Sequence, residues 1–269
     1  MAASPGKRNG NERAEMKYPW KVAWITGASG AICGEIARRL ADQGVRVAAT
    51  ARPSERLEAL AASSPNITAF PADVLDAAAL KACAAKVEAE LGPIDLALLG
   101  AGMYVPFDIR AIDAEGFRRT MALNVDGVLN GVAAALPAML DRHAGHLAIM
   151  GSLFGYAGWP GNGGYGASKA AVINLAESLK LELRGSGVGL TLINPGFVDT
   201  PLNASYDPKK KLFVMSKERC ARKILERLPK RPYEIAFPPQ VALFLKTVRN
   251  LPRAVSFPLV RWFIKATGA

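Results

Sequence analysis

Tyr165 and Lys169 are the two residues of this sequence whose types and spacing most clearly indicate chemistry. They lie four positions apart in YGASK, so a helix would place both on one face. The ordinary pKa of tyrosine is about 10, and a neighbouring ammonium group lowers it by stabilising the tyrosinate. Such a pair could donate or accept a proton at neutral pH.

Two polar residues earlier in the chain could complete the same site. Ser152 follows the apolar run HLAIM, and its hydroxyl could hold a carbonyl oxygen beside the Tyr165 hydroxyl. Asn124, in ALNVDG, belongs to a long helical pattern and could anchor a water molecule. A tyrosine and a lysine at this spacing are common by chance, but the asparagine and the serine make the pattern more specific.

The stretch TGASGAIC, residues 26–33, could hold a nucleotide. It follows an apolar run and precedes a helical pattern, and the N-terminus of a helix offers unpaired N–H groups and partial positive charge to phosphate. Gly27 permits the tight turn, but Ala31 and Cys33 occupy positions where glycine normally allows close approach. Alone, the turn is a weak nucleotide motif, and an ordinary strand-to-helix turn is the alternative.

The end of the second predicted strand indicates which nucleotide is preferred. VRVAATAR ends on Arg52 and has no carboxylate there to accept bonds from a ribose 2′-hydroxyl. Arginine suits a 2′-phosphate, so the sequence favours NADP over NAD, with a solvated arginine as the alternative. Asp73, after the third predicted strand, could bond an adenine amino group or cap the next helix.

The hydrophobic pattern supplies elements that could position these residues. Six strand-like runs alternate with helical ones as far as VGLTLINPG, and YEIAF is a seventh. Parallel strands joined by helical crossovers are covered on both faces. We therefore predict an α/β fold with a doubly wound parallel sheet of about seven strands. Ser216 is the predicted N-cap of a late amphipathic helix.

Composition and cysteine usage restrict the class of protein. A chain of 269 residues, half of them apolar, fits one α/β domain or two small ones. The three cysteines show no paired or metal-like spacing, which predicts no metal site and a reducing, cytoplasmic compartment. The sequence contains no window of about 18 uncharged apolar residues, so it predicts no clear membrane-spanning helix.

Positive charge is concentrated near the C-terminus. Residues 1–203 hold 19 basic and 19 acidic side chains, whereas residues 204–269 hold 15 basic and 4 acidic, which accounts for the net charge of +11. This asymmetry indicates an acidic partner surface. An anionic membrane fits better than nucleic acid, because residues 238–269 mix basic and large apolar side chains. A solvated basic face over a core helix is the alternative.

Three parts of the chain follow from these patterns. Residues 1–18 are polar and mixed in charge, which predicts a disordered tail. Residues 19–203 form the predicted dinucleotide-binding catalytic core. Residues 204–269 are too short for a separate domain, and we predict a basic substrate lid and C-terminal segment of the same domain.

Over about residues 20–200 the chain resembles the short-chain dehydrogenase/reductase family. The motifs that carry the resemblance are TGASGAIC, ADV, ALNVDG, IMGS, YGASK and NPGFVDT. It implies a Rossmann-type fold, a homodimer or homotetramer, and hydride transfer between the nicotinamide of NADP and an alcohol or carbonyl carbon. In that scheme Tyr165 is the acid in reduction and the base in oxidation, and Ser152 orients the substrate oxygen. Lys169 bonds the nicotinamide ribose and lowers the Tyr165 pKa, and Asn124 supports a proton relay through water.

The resemblance also implies a set of cofactor-binding residues, of which Pro195, Gly196 and Thr200 would flank the nicotinamide. The full set is Gly27, Ser29, Ala31, Ile32, Arg52, Asp73, Val74, Ala101, Gly102, Tyr165, Lys169, Pro195, Gly196, Val198 and Thr200. Two departures are expected to weaken cofactor binding. Ala31 and Cys33 replace family glycines, and Leu99-Gly100-Ala101-Gly102 replaces the family's Asn-Asn-Ala-Gly.

Large side chains after the strand ends favour a lipophilic or aromatic substrate, although ordinary apolar lining explains them equally well. They are Met103, Tyr104, Phe154, Tyr156, Trp159 and Phe197. The leading hypothesis is an NADP-dependent enzyme that interconverts a secondary alcohol and a ketone. The alternatives are a catalytically weak, nucleotide-binding regulatory protein and a peripheral membrane protein that binds through residues 238–269.

Overall fold

The computed structural model describes residues 18–201 and 213–267. These residues form a seven-stranded, fully parallel sheet in the order β3-β2-β1-β4-β5-β6-β7. The strands are β1 (Val22–Thr26), β2 (Arg46–Thr50), β3 (Ile67–Ala69), β4 (Leu96–Leu99), β5 (Gly145–Met150), β6 (Val188–Pro195) and β7 (Glu234–Phe237). The prediction of a doubly wound α/β fold with about seven strands is confirmed.

Helices connect the strands and cover both faces of the sheet. They are α1 (Ala31–Ala41), α2 (Glu55–Ala62), α3 (Ala77–Leu91), α4 (Ala114–Met121), α5 (Gly127–Asp141), α6 (Gly163–Glu182), α7 (Lys217–Arg227), α8 (Pro239–Asn250) and α9 (Arg253–Thr267). Residues of α1, α2 and α7 pack on one face, and residues of α3, α5 and α6 pack on the other. Ser216 caps α7 as predicted, since its hydroxyl accepts a hydrogen bond from Arg219 N at 3.2 Å.

The core has two layers because successive strand residues point to opposite faces. In β1, Ala23 and Ile25 pack under α1, whereas Val22 and Trp24 pack on the opposite side. All are buried, as expected for a parallel sheet covered on both faces. The strand order reverses between β1 and β4, and open α/β sheets bind ligands in the crevice at such a point.

The helical run Ala114–Asp141 contains a π-helical turn, Ala122–Asp126, between α4 and α5. By length and composition alone, this run could span a membrane. That is weak support for a spanning helix, because α4 packs on α6, and α5 packs on α3 and the sheet. Core packing accounts for its apolar composition.

The two ends of the described chain differ in part from prediction. Tyr18, assigned to the N-terminal tail, is 7% exposed and stacks on Trp20 with ring centroids 6.0 Å apart. The rest of that predicted tail, residues 1–17, lies outside the described residues, and so do 202–203 of the predicted core and 204–212 and 268–269 of the predicted lid. The remaining C-terminal helices pack in two places: α7 on α1, and α8 with α9 against Leu153 and Trp159.

Candidate active site

A cleft of about 910 Å³ follows the carboxyl ends of the strands, at the point where β1 and β4 diverge. Every residue predicted to bind the cofactor lines this cleft, and so does Ser152. Arg52 lies in the turn after β2, and Tyr165 and Lys169 lie on α6 after β5. The topology therefore gathers residues from distant parts of the sequence along one edge of the sheet.

The turn after β1 has the shape needed to hold a pyrophosphate. Gly27 has φ +67°, and a Cβ there would lie 2.7 Å from the Ala101 Cα, so only glycine fits. The turn leads into α1, whose first N–H groups have no intrahelical partners, and Ala31 and Ile32 line the cleft. The close approach of Gly27 to Ala101 and the open N-terminus of α1 together give this turn a shape that can hold a dinucleotide.

Cys33 and Gly100, two of the departures from the family pattern, occupy complementary space. A Cβ at position 100 would lie 2.3 Å from Cys33 Sγ. Burial raises the pKa of the Cys33 thiol to about 12, so the group is neutral. Leu99 packs against Gly131, where a Cβ would lie 2.6 Å from Leu99 Cδ2. The side chains that replace the family's residues are thus accommodated by neighbouring glycines, and a weaker cofactor affinity stays a prediction.

The far end of the cleft is lined by two arginines. Arg52 and Arg56 both border it, together with Glu55 in the first turn of α2. Within residues 18–201 and 213–267, neither arginine forms an ion pair. These guanidinium groups are therefore free to bind an anion.

Asp73 lies on the cleft beside this end, and its role as a helix cap is excluded. Its Oδ1 accepts a hydrogen bond from Leu75 N at 3.0 Å. The N-cap of α3 is instead Asp76, which accepts from Ala79 N at 2.9 Å. The capping alternative for Asp73 was wrong, and the adenine contact stays a prediction.

At the opposite end, Ser152 and Tyr165 both line the cleft, and their hydroxyls are close enough to influence each other. Burial raises the pKa of Tyr165, and the Ser152 hydroxyl lowers it by less, so the net direction is upward. Lys169 Nζ lies 5.8 Å from the Tyr165 ring centroid. The expected lowering of the Tyr165 pKa by Lys169 is therefore wrong for the protein alone, because burial dominates.

Lys169 is the buried cation of the site, with 3% of its surface exposed. Its Nζ donates a hydrogen bond to the Met150 carbonyl at 2.8 Å, and an ammonium has two further N–H groups for other acceptors. Burial lowers the Lys169 pKa to about 8, so the group is mostly charged at pH 7. It can therefore donate to hydroxyls of a cofactor ribose.

Asn124 does not line the cleft, although its side chain supports residues that do. It lies in the π-helical turn and is fully buried. Its Oδ1 accepts from Met103 N at 2.8 Å, and its Nδ2 donates to Met103 O at 3.0 Å and to Ser168 Oγ at 2.9 Å. Ser168 Oγ in turn donates to Tyr165 O at 2.7 Å. Both amide N–H groups are thus used within the protein, and they cannot hold a water.

Aromatic side chains border the Tyr165 end, but only part of the predicted set does so. Tyr104, Phe154 and Phe197 line the cleft. The Phe154 and Phe197 rings are 5.0 Å apart, and Tyr104 meets Tyr165 edge-on at 5.6 Å.

Met103, Tyr156 and Trp159 are not among the residues that line the cleft, so their assignment was wrong. Tyr156 donates a hydrogen bond to Glu234 and accepts one from Asn194 Nδ2 at 2.8 Å. Trp159 packs with α8 and α9. A strand end fixes where these loops begin and does not fix which way their side chains point.

The reasoning from sequence missed several cleft residues, among them Arg56 and Asn162. Arg56 lies in the first turn of α2, immediately after the loop that carries Arg52, and its closeness to Arg52 in the sequence could have indicated it. Asn162 comes three residues before Tyr165 and is 4% exposed. The local sequence does not predict this burial, because it depends on how the chain packs around Asn162.

The doubly wound sheet, the glycine turn and the Ser–Tyr–Lys cluster define a dinucleotide-dependent oxidoreductase. A model of the short chain dehydrogenase family matches residues 21–211. The chain therefore belongs to the short-chain dehydrogenase/reductase family.

Relatives extend this likeness over most of the chain. An uncharacterised oxidoreductase of Myxococcus xanthus is 34% identical over 243 residues, which are 89% of this chain and 95% of the relative. A short-chain dehydrogenase from Streptomyces avermitilis is similar in structure, with TM-score 0.75 and 27% identity over 93% of this chain and 98% of that one. An alcohol dehydrogenase from Thermococcus sibiricus, complexed with 5-hydroxy-NADP, has TM-score 0.72 and 27% identity over 81% of this chain and 96% of that one.

Proposed function

We propose that this protein is an NADP-dependent oxidoreductase that interconverts a secondary alcohol and a ketone on an apolar or aromatic substrate. The observation that carries the proposal is the grouping of Ser152, Tyr165 and the Lys169 ammonium at one end of a dinucleotide-sized cleft. The aromatic side chains that border this end support an apolar substrate.

The roles of the residues follow from their contacts. In reduction, Tyr165 donates its proton to the carbonyl oxygen, and Ser152 donates a hydrogen bond that orients that oxygen. The nicotinamide of bound NADPH would supply the hydride that adds to the carbonyl carbon. Lys169 would hold the cofactor ribose, and its positive charge stabilises the tyrosinate left after proton transfer. Asn124 keeps the Met103 loop and Ser168 in place behind Tyr165.

The preference for NADP rests on the arginines at the other end of the cleft. Arg52 and Arg56 present guanidinium groups where a carboxylate would be needed to bind the ribose hydroxyls of NAD. A charge-assisted hydrogen bond to a 2′-phosphate contributes about 1.5–3 kcal/mol. The NADP analogue bound by the Thermococcus sibiricus enzyme is in keeping with this choice.

Thermal shift with the two reduced cofactors tests this preference. NADPH should raise the Tm of the wild type more than NADH does, and Arg52→Ala should remove most of that difference. Arg184→Ala, at an exposed position beyond the end of α6, is the matched control and should behave as wild type. Equal shifts with NADPH and NADH in the wild type would contradict the proposed cofactor.

Turnover tests the reaction itself. A panel of apolar aryl ketones should be reduced with loss of reduced-nicotinamide absorbance, and Tyr165→Phe should abolish turnover while cofactor binding persists. Substantial turnover by Tyr165→Phe would remove Tyr165 from its role. Cofactor binding without turnover of any alcohol or ketone would favour the regulatory alternative.

A second proposal is that α9 binds an anionic membrane surface. Residues 238–269 contain five basic and no acidic side chains, and α9 exposes Phe257 (62%) and Trp262 (64%). Basic and large apolar groups together on an exposed helix are typical of interfacial binding. Flotation with phosphatidylserine vesicles should recover the wild type and lose the double variant Phe257→Ser, Trp262→Ser. Leu181→Ser, at a 78% exposed position on α6, is the control and should float normally.

We also propose a cytoplasmic homodimer or homotetramer in which residues 19–203 form the catalytic core and 204–269 the lid and C-terminal segment. The buried, unpaired state of Cys33, Cys83 and Cys220 suits a reducing compartment. Leu129 and Leu140 on α5 are 48% and 37% exposed, and such apolar groups are suited to a subunit interface. Light scattering on the purified chain tests the assembly, and a monomer at micromolar concentration would contradict it.

A further inference from the structure

Asn162 occupies the N-cap position of α6 and does not cap it. Asparagine at this position usually accepts a hydrogen bond from the second or third N–H of its helix, but Asn162 makes no such bond. Other helices of this chain are capped by side-chain oxygens, namely those of Ser54, Asp76, Asp113 and Ser216. The Asn162 side chain is therefore not used to stabilise the start of α6.

The same side chain is buried without a hydrogen-bond partner. Asn162 is 4% exposed, and within the described parts of the chain its Nδ2 has no acceptor. Leaving a buried donor unsatisfied costs about 1–3 kcal/mol, and native proteins nearly always avoid it. Because Nδ2 exposes less than 1 Å² in this rotamer, a bound molecule can supply the missing acceptor once the amide turns about its last side-chain bond, which exchanges Nδ2 with Oδ1.

The position of Asn162 identifies that molecule as the substrate. Asn162 lines the cleft together with Ser152 and Tyr165, and it comes three residues before Tyr165. The neighbouring polar group, the Tyr104 hydroxyl, already donates to Gly161 O at 3.1 Å. The other large side chains of this end, Phe154 and Phe197, are apolar. Ser152 and Tyr165 already bind the reacting oxygen in the proposed mechanism. The Asn162 amide is therefore available as a donor for a different atom of the substrate.

We propose that the Asn162 amide donates a hydrogen bond to a second carbonyl oxygen of the substrate, a few bonds from the reacting carbon. The proposal rests on the proposed function, and it narrows the substrate class to apolar ketones that carry another carbonyl, such as keto esters and diketones. Apolar ketones without that oxygen would enter the same cleft and leave the amide unpaired.

Matched substrates and variants separate this role from a structural one. 1-Phenyl-1,2-propanedione is compared with propiophenone, from which it differs only in the second carbonyl. Ethyl benzoylacetate is compared with hexanophenone, a ketone of the same chain length that lacks the ester group. Asn162→Leu removes all hydrogen bonding, and Asn162→Asp retains only acceptors. Asn174→Leu, at an exposed position on the same helix, is the control.

Both Asn162 variants should lose roughly 5- to 100-fold in kcat/KM for the dicarbonyl substrates and less than about 3-fold for the simple ketones. The Tm of Asn162→Leu should not fall, because the fold does not use the amide. Equal loss for both members of a pair, no loss for either, or a Tm lowered by several degrees would overturn the proposal.

Measuring substrate binding to an inactive variant tests the Asn162 contact separately from the proposed reaction. In Tyr165→Phe loaded with NADPH, 1-phenyl-1,2-propanedione should raise the Tm more than propiophenone does, and adding Asn162→Leu should abolish the difference. Discrimination by binding with no turnover in the wild type would retain the Asn162 contact and refute the reaction. No discrimination in either assay would refute the contact.

Discussion

Replacing Gly100 with alanine tests the contact between the turn after β4 and Cys33. The added Cβ would lie 2.3 Å from Cys33 Sγ and 3.3 Å from both Leu98 Cδ2 and Thr26 O. Non-bonded heavy atoms reach their best separation at about 3.5–4.0 Å, so the sulfur would have to move by about 1 Å. Cys33 is 4% exposed and belongs to the core cluster under α1, which leaves it little room to move.

The size of the effect follows from the cost of overpacking. Forcing an extra carbon into a packed core costs about 1–3 kcal/mol, and a domain of this size loses about 2–4 °C of Tm per kcal/mol. Gly100→Ala should therefore lower the Tm by roughly 2–12 °C. Cys33→Ala removes the sulfur and should cost about 1 kcal/mol in lost burial. The double variant should lose less free energy of unfolding than the two single variants lose together, by at least about 1 kcal/mol.

Thermal and urea unfolding of the four proteins, at one protein concentration, completes this cycle. Gly158→Ala is the control, because a Cβ at that position has nothing within 4 Å, and its Tm should stay close to wild type. The residual contacts with Leu98 and Thr26 keep the double variant below wild type. Additivity of the two single variants within about 0.5 kcal/mol would refute the reasoning that Cys33 and Gly100 share one space.

Three further variants test interactions inside the fold and the site. Burial lowers the pKa of His146 to about 3; since the unfolded chain then binds the extra proton, stability should fall by about 1.4 kcal/mol per pH unit below about pH 6.5. His146→Leu should flatten this slope in urea melts taken between pH 5 and 7, and an unchanged slope would place the acid sensitivity elsewhere. Asn124→Ala removes the partner of the half-buried Met103 main chain and a donor to the buried Ser168 hydroxyl, and each loss costs about 1–3 kcal/mol; the Tm should fall by several degrees, and an unchanged Tm would contradict the bracing role. Glu234→Leu removes the acceptor of Tyr156 and Lys246 and should lower the free energy of unfolding by about 1–3 kcal/mol, while a change below about 0.5 kcal/mol in a denaturant titration would show that the cluster contributes little.

Much of the architecture was predictable because the relevant signals are local. Alternation of apolar runs with amphipathic segments fixes strands and crossovers, and parallel strands bring their carboxyl ends to one edge. Ser152 and Tyr165 follow the same strand, so their meeting at the cleft follows from the topology. The nucleotide turn and Arg52 belong to the first two strands on the other side of the switch point.

The rest depended on contacts that no local pattern expresses. Cys33 and Gly100 are 67 positions apart, and their complementary shapes appear only when β1 and β4 pair. The direction of the Tyr165 pKa shift is set by burial, which sequence spacing does not measure. Tyr156 was expected in the cleft, but Glu234, on a strand 78 positions later, supplies a polar partner on another side.

The wide turn at Ala122–Asp126 has a consequence for comparing related sequences. A π-helical turn contains one more residue than an α-helical turn, and each residue of an α-helix advances by about 100°. Because the π-helical turn takes up this extra residue locally, deleting one residue here would leave α4 and α5 in phase but would turn Asn124 by about 100° within the restored α-helix, away from the Met103 main chain. A homologue that aligns with a one-residue gap in this segment should therefore lack the amide brace, even where its tyrosine and lysine are retained.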